Sequence, residues 1–129
     1  MRNGFLIVLA LIMLSGCQST GQGAYTVPVG TPRQLDAEYS VHEDCSSLGD
    51  VVVRITRQPE HGSVEVRSGE VHTNFPDSNP RHVCNARTVA GKQVWYIPAA
   101  GFAGDDHFAL EAIYPSGGSR EVNFAITVR

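Results

Sequence analysis

From residue 35 to the end of the chain, apolar residues recur at every second position and not at the 3.6-residue spacing of a helix. The alternation is clearest in residues 35–41, 51–56, 64–67, 108–114 and 122–128. Side chains with this period point to opposite faces of an extended strand, so each segment has one face for a core and one for water. We therefore predict half-buried antiparallel strands. In the first segment the pattern directs Leu35, Ala37, Tyr39 and Val41 to the core, and Asp36, Glu38 and Ser40 to water.

Residues that break strands separate these segments at short intervals, in residues 58–62, 68–69, 75–80, 90–92 and 115–118. Short strands with turns roughly every 8–12 residues are typical of a sandwich or a small barrel. The sequence has 129 residues, enough for one such domain. We predict an all-β fold, a single antiparallel β-sandwich of about seven strands. The strands are predicted near residues 35–42, 51–58, 63–67, 70–75, 87–97, 105–114 and 120–128.

The amino terminus has the pattern of an export signal. Arg2 provides a positive charge, and an uninterrupted apolar run of ten residues follows at 5–14. A helix that spans a bilayer needs about 20 apolar residues, so this run is short for a membrane anchor and suits a secretory signal. Residues 1–16 are therefore predicted to be a signal peptide.

Residues 14–17, with the sequence Leu-Ser-Gly-Cys, follow this run and resemble the lipobox of bacterial lipoproteins. The resemblance implies that Cys17 receives a lipid and anchors the mature chain in a membrane of the cell envelope. Gln18, in place of an Asp, implies the outer membrane and not the inner membrane if the organism is Gram-negative. The alternatives are an ordinary secretory signal and an uncleaved anchor.

Residues 17–33 are rich in Gly, Ser, Thr, Gln and Pro, which is typical of a flexible tether. We predict that this segment carries the lipidated cysteine and the tether, although residues 25–29 could also supply an edge strand. The β-sandwich domain is then expected over residues 34–129.

The sequence has three cysteines, and lipidation of Cys17 would leave Cys45 and Cys84 as a pair. In an oxidising compartment we expect them to form a disulfide. A histidine lies close to each of them, so a zinc site formed with His42 and His82 is the alternative.

Two motifs in the second half of the chain resemble those of bacterial Ig-like and cadherin-like domains. Residues 58–64 are similar to that family's P-x-x-G-x-V hairpin, and residues 95–108 to its Y-x-P-x-x-G-F-x-G-x-D-x-F motif. The resemblance covers about residues 50–129 and implies an Ig-like sandwich, with Tyr96 and Phe108 in the core and Asp106 accepting backbone N–H bonds. The family often occurs as tandem repeats without cysteines, so its role in adhesin stalks is not carried over to this single unit.

Apart from the zinc alternative at the two cysteines, the sequence contains no motif of a catalytic, cofactor or metal site. HExxH, CxxC and GxSxG motifs are absent, and the acidic residues are spread through turns and outward strand faces. Asp105 and Asp106 lack the run of carboxylates that a calcium loop needs. The net charge of −3 becomes −4 when residues 1–16 and the charge of Arg2 are removed. A mildly acidic domain without a basic stripe is an improbable partner for nucleic acid.

Two features form the candidate binding surface. Trp95, the single tryptophan, alternates with Tyr96 and is expected on the outer face of its strand, unless it covers the edge of the core or packs under a loop. The loop at 74–86 is long, rich in Pro and Asn, and anchored by Cys84, which is typical of functional loops and also of a stabilised crossover. The residues of this surface are Trp95, Phe75, Asn79, Arg81 and His82.

These observations favour a non-enzymatic module, anchored to the envelope by its lipid, that binds an envelope protein or polymer. One alternative is a structural subunit of an envelope assembly. The other is an inhibitor or accessory factor of an exported enzyme, acting through the loop at 75–86.

Overall fold

The computed structural model describes residues 19–129, so the predicted signal peptide and Cys17 lie outside the described residues. Within this range seven strands form two facing sheets, which confirms the all-β sandwich. The four-stranded sheet has the order β1-β7-β6-β3, and the three-stranded sheet has the order β2-β5-β4. The elements are β1 (Ser19–Val27), β2 (Arg33–Glu38), β3 (Val52–Arg57), β4 (Gly62–His72), a 3-10 helix (Pro80–Ala86), β5 (Thr88–Pro98), β6 (Gly104–Ile113) and β7 (Ser119–Val128).

The first strand replaces most of the predicted tether. β1 pairs in parallel with β7, from Ser19 opposite Arg120 to Val27 opposite Val128. The ring of Tyr25 stacks on that of Phe124 with centroids 5.6 Å apart. The prediction of a flexible segment over residues 17–33 is thus wrong for residues 19–27. The sandwich begins before residue 34, where the domain was expected to start. One of its strand pairs, β1 with β7, is parallel and not antiparallel as predicted.

β4 is one long strand where the sequence predicted two. The turn expected at residues 68–69 is wrong, because β5 pairs with every residue of β4 in unbroken register, from Gly62 opposite Pro98 to His72 opposite Thr88. Pairing along the whole neighbouring strand outweighs the local preference of Ser68-Gly69 for a turn.

The main core lies between the two sheets and is built on three stacked aromatic rings. Phe108 lies between Tyr96 and Phe124, with ring centroids at 6.3 Å and 4.3 Å. All three rings are buried. Apolar residues of both sheets surround them: Val27, Leu35, Val51, Val94, Leu110, Ala112, Val122, Ile126 and Val128.

Asp106 is buried at one end of this core and accepts hydrogen bonds from several directions. The backbone N–H groups of Glu60 and His61, in the turn between β3 and β4, donate to it at 3.0 Å and 3.1 Å. The hydroxyl of Tyr96 donates at 2.7 Å and the N–H of His107 at 2.9 Å. Asp106 therefore accepts backbone N–H bonds as the motif implies, and it links both sheets to the turn.

A β-bulge in β2 reverses the expected orientation of its side chains. Gln34 pairs with Trp95 and Asp36 pairs with the next residue of β5, Val94, so Leu35 is the additional residue of the bulge. Asp36 and Glu38 consequently face the space between the sheets, and Glu38 is only 2% exposed. The prediction that these two carboxyl groups face water is wrong.

Candidate functional site: a disulfide-linked loop layer

Two loops fold over the outer face of the three-stranded sheet at one end of the domain. We call residues 39–50 and 73–87 the loop layer. A disulfide between Cys45 and Cys84, 39 residues apart in sequence, joins the two loops. The Nε of Arg81 adds a hydrogen bond of 2.8 Å to the backbone oxygen of Val41. The loops are thus connected to each other as well as to the sheet.

A second, smaller core lies under the loop layer and makes this end of the domain three layers thick. Its buried residues are Val41, Cys45, Val71, Cys84 and Val89, with Ala37, Tyr39 and Phe75 packed against them. Gly91 permits the close approach of β2 and β4 beneath the loops. A Cβ atom at this glycine would lie 2.6 Å from Val71 Cγ2 and 2.7 Å from the backbone oxygen of Glu38.

Three of the four predicted loop residues hold the loop in place. Phe75 is half-buried and packs edge-to-face on Tyr39, with ring centroids 5.4 Å apart. Asn79 caps the 3-10 helix, because its Oδ1 accepts the N–H of Arg81 at 2.9 Å. Arg81 makes the bond to Val41 described above. Only His82 is exposed and free to contact another molecule.

The side chain of Asn85, which the sequence analysis did not single out, also fixes this loop. Its Oδ1 accepts the N–H of Phe75 at 3.0 Å and the hydroxyl of Thr73 at 2.7 Å. Its Nδ2 donates to the backbone oxygen of Phe75 at 2.9 Å. A single amide thus closes the loop across ten residues, a role that its spacing in the sequence does not indicate.

The loop layer exposes two large apolar side chains, each close in sequence to a bonded cysteine. Val83, next to Cys84, is 52% exposed, and Leu48, three residues after Cys45, is 42% exposed. Between the loops lies a shallow cleft lined by His42, Glu43, Asp44, Ser46 and Arg81. The loop layer therefore combines apolar contacts with both signs of charge.

Trp95 lies on the outer face of the three-stranded sheet. The loop layer covers this face at the other end of β5, near Val89. Its neighbours Val94 and Tyr96 are fully buried, whereas Trp95 is half-buried, as the alternation predicted. The guanidinium carbon of Arg67 lies 4.6 Å from the centre of its ring, and its Nε1 donates to Gln93 at 3.0 Å. Trp95 is not part of the small core under the loops. The structure thus places Trp95 on the same face of the sheet as the loop layer but outside that layer, so it does not form one surface with the four loop residues.

A charged cluster that the sequence analysis missed crosses between the two sheets near the loop layer. Glu38 accepts the hydroxyl of Tyr114 at 2.5 Å and the guanidinium of Arg120 at 3.0 Å. Asp36 Oδ2 lies 3.9 Å from Arg120, and it has no hydrogen-bond partner among the described residues. Burial raises the pKa of both carboxyl groups, and for Glu38 the nearby charge of Asp36 adds to the increase. The bulge at Leu35 brings these groups inward, and no local pattern signals it.

The disulfide removes the zinc alternative, because both cysteines that it requires are bonded to each other. Among residues 19–129, no group of three or more His, Cys, Asp or Glu side chains is arranged to hold a metal ion. No helix in this range is long and apolar enough to cross a bilayer.

The outer face of the four-stranded sheet forms a shallow groove of about 680 Å³. Its floor consists of small side chains, such as Ala24, Ala125 and Thr127, and Arg57 and His107 lie among its lining residues. The large exposed apolar residues found in the described range, which include Val83 and Leu48, are not among those that line it. The loop layer is therefore the better candidate for a recognition surface.

Comparisons with known proteins add little to this description. No family model matches the sequence, and no curated protein matches it. A structure described as the solution structure of amebosin is similar with a TM-score of 0.45 and 12% sequence identity, over 88% of this chain and 100% of that one.

Proposed function

We propose that the chain is an envelope lipoprotein, anchored through Cys17, whose β-sandwich binds another envelope protein or polymer without catalysis. The recognition surface is the loop layer. The observation that supports this assignment most directly is the pair of exposed apolar side chains, Val83 and Leu48, each within three residues of a cysteine of the Cys45–Cys84 disulfide.

The rigidity of the loop layer favours binding. Ordering a flexible loop costs free energy when a partner binds, and a loop that is already fixed avoids most of this cost. Here the disulfide, the bond from Arg81 to Val41 and the three bonds of Asn85 fix the loops before any partner arrives. Exposed apolar side chains on such a rigid base are typical of interaction sites.

The resemblance to Ig-like domains supports the same assignment. Domains of this architecture place loops at the ends of a rigid sandwich, where they are available for recognition. The residues that carry the resemblance, Tyr96, Asp106 and Phe108, are buried in the framework of the domain. They would therefore maintain the position of the loops and leave specificity to the loop layer.

Photocrosslinking in the cells that express the full chain would test this proposal. A photoreactive amino acid replaces Val83 in one variant and Val29 in another. Val29 is a matched control because it is 44% exposed and lies in the connection between β1 and β2. We expect one dominant adduct, a protein or a polymer, from position 83 and little from position 29. Equal adducts from both positions, or none from either, would contradict the proposal.

The identity of the adduct would also separate the two alternatives. A stoichiometric neighbour in the envelope would indicate a structural subunit, whereas an exported enzyme would indicate an inhibitor or accessory factor. Labelling with radioactive palmitate tests the anchor independently. We expect label on the unsubstituted chain and none on Cys17→Ser, and a chain that takes no label would remove the membrane from the proposal.

A further inference from the structure

The strand β4 forms a free edge of the three-stranded sheet. It pairs with β5 in unbroken register over 11 residues and has no strand on its other side within the described part of the chain. Residues 65–70 are exposed without interruption, including Val66, which is 37% exposed. An edge of this length and regularity is a template for pairing with another strand.

The hydrogen bonds between β4 and β5 identify the backbone groups that are free at this edge. Ala99 N–H donates to the oxygen of His61 at 2.8 Å, in the same register that pairs Gly62 with Pro98. In an antiparallel ladder hydrogen-bonded residues alternate with non-bonded ones, so the odd-numbered residues of β4 bond to β5. The N–H and C=O groups of Val64, Val66 and Ser68 therefore point away from β5, whereas the C=O of Glu70 accepts a hydrogen bond of 2.9 Å from the side chain of Gln93.

We infer that β4 pairs with β4 of a second copy of this chain, antiparallel and centred on Val66. In this register the two Val66 residues form a hydrogen-bonded pair, and the free groups of Val64 meet those of Ser68 in the other copy. Each Glu65 then lies opposite the second copy's Arg67. The partner is therefore another molecule of this protein, joined to the first by a two-fold axis.

The charges of the strand select this register over its neighbours. A shift of the second copy by two residues in one direction places Glu65 opposite Glu65, and in the other direction Arg67 opposite Arg67. Like charges directly opposite each other destabilise a strand pair, and opposite charges stabilise it. Within one chain Arg67 already lies 2.6 Å from Glu65, with both side chains about half exposed. Directly opposite residues of an antiparallel pair have Cβ atoms about 4.5–5.5 Å apart, so each side chain can also reach the opposite charge in the second copy.

The geometry of this dimer also suits two lipid anchors, a point that rests on the proposed function. The two-fold axis of an antiparallel strand pair is perpendicular to the sheet, so it leaves the four-stranded sheets of both copies on the same side. Both β1 strands begin on that side, and one membrane can hold both anchors. The two loop layers lie on the opposite side, where a partner can reach them.

Cysteine crosslinking of the full chain in its membrane would test the dimer. Two residues opposite each other in a hydrogen-bonded antiparallel pair have Cα atoms about 5.5 Å apart, within the range that a disulfide spans. Val66→Cys should therefore form a disulfide-linked dimer on mild oxidation. Ser68→Cys is the matched control, because the two copies of residue 68 would be separated by roughly 14 Å, four residues along a strand. After subtraction of the background from the unsubstituted chain, we expect the crosslinked fraction of Val66→Cys to be at least tenfold higher than that of Ser68→Cys.

Charge reversal on the Val66→Cys background provides the second measurement. Glu65→Arg or Arg67→Glu alone should lower the crosslinked fraction severalfold, and the two changes together should restore it. Both side chains are exposed, so an unchanged melting temperature would show that each variant is folded. Equal crosslinking at positions 66 and 68, or no recovery in the double variant, would overturn the dimer. These outcomes do not depend on adducts at position 83, so the dimer and the recognition surface can fail separately.

Discussion

Tyr96 of β5 donates a 2.7 Å hydrogen bond to Asp106 of β6, and through this bond the two sheets are joined inside the core. Both residues are buried, with 0% and 3% of their surface exposed. Burial alone would raise the pKa of Asp106, but its hydrogen bonds from Tyr96, Glu60, His107 and His61 outweigh that effect, and the pKa is lowered. Burial of the ring raises the pKa of Tyr96, and the hydrogen bond to the same carboxylate adds to the increase.

Asp106→Asn should destabilise the domain by about 3 kcal/mol, because the amide loses the charge that four donors approach and turns an N–H group toward some of them. Tyr96→Phe, which removes one of these donors, should cost about 2 kcal/mol. Urea unfolding measures both. Asp105→Asn is the control, because Asp105 is the residue next to Asp106 in the same strand and is exposed. A loss as large at position 105 as at position 106 would contradict this role.

Glu38 and Asp36 should make the domain more stable in mild acid than at neutral pH. Burial raises their folded-state pKa values above the ordinary 4.5 and 3.8, so the folded state binds protons more tightly than the unfolded state. The resulting stabilisation is fully present below those ordinary values and is lost as the pH rises through the folded values. The free energy of unfolding should therefore fall as the pH rises above these ordinary values, and fall less in Glu38→Gln, which keeps an oxygen for Tyr114. Asp106 has the opposite sign, and its contribution is lost only below 3.8, outside this window. The measurement is the denaturant midpoint as a function of pH, for the unsubstituted chain and for Glu38→Gln. Parallel curves for the two proteins would argue against this effect.

The disulfide should stabilise the loop layer far more than the main core. Its removal in Cys45→Ser/Cys84→Ser frees a loop of 39 residues and should cost roughly 4 kcal/mol on the chain-entropy estimate. Cys45 also has a positive φ of 70°, a conformation that a residue with a side chain adopts at a cost. Hydrogen exchange should accelerate most in residues 39–50 and 73–87, which can then open locally, and less in the amides of β6 and β7, which exchange only when the whole domain unfolds. Reductant should reproduce this in the unsubstituted protein and leave the double variant unchanged; uniform acceleration across all strands would contradict a local role.

Gly91→Ala tests the close packing beneath the loop layer. The new methyl group would lie 2.6 Å from Val71 Cγ2 and 2.7 Å from the oxygen of Glu38. We expect a loss of about 1–3 kcal/mol from overpacking, measured by thermal unfolding. Gly69→Ala is the matched control, because Gly69 lies directly opposite on β4 and its added methyl would meet only the amide end of Gln93, at 3.2 Å. Equal effects of the two substitutions would show that strand propensity, and not contact, determines the cost.

The elements that follow local patterns were predicted well from the sequence. In β7 the alternation of Val122, Phe124, Ile126 and Val128 matches their burial, and every second residue between them is exposed. Asp106 and Tyr96 lie where the motif implies. These residues face one uniform core, so the period of two is sufficient to place them.

The errors arise where tertiary pairing outweighs the local pattern. The bulge at Leu35 inverted the faces of β2. Alternation assigned Tyr39 to the core between the sheets, but it packs against the small core under the loop layer, on the other face of the sheet. β1, with three polar residues and two glycines before Tyr25, becomes a strand through its pairing with β7. Val83 and Leu48, the exposed apolar residues of the loop layer, carry no signal in the sequence at all, because burial depends on which loops meet.

If the chain carries a lipid at Cys17, as proposed, the start of β1 at Ser19 limits how far the domain can move from the membrane. Gln18 alone separates the two, and a stretch of two residues extends at most about 7 Å. The linker would be too short for the domain to move away from the surface of the bilayer. It would move as the lipid moves, in two dimensions, and would meet only those molecules that come to the membrane surface or already reside there.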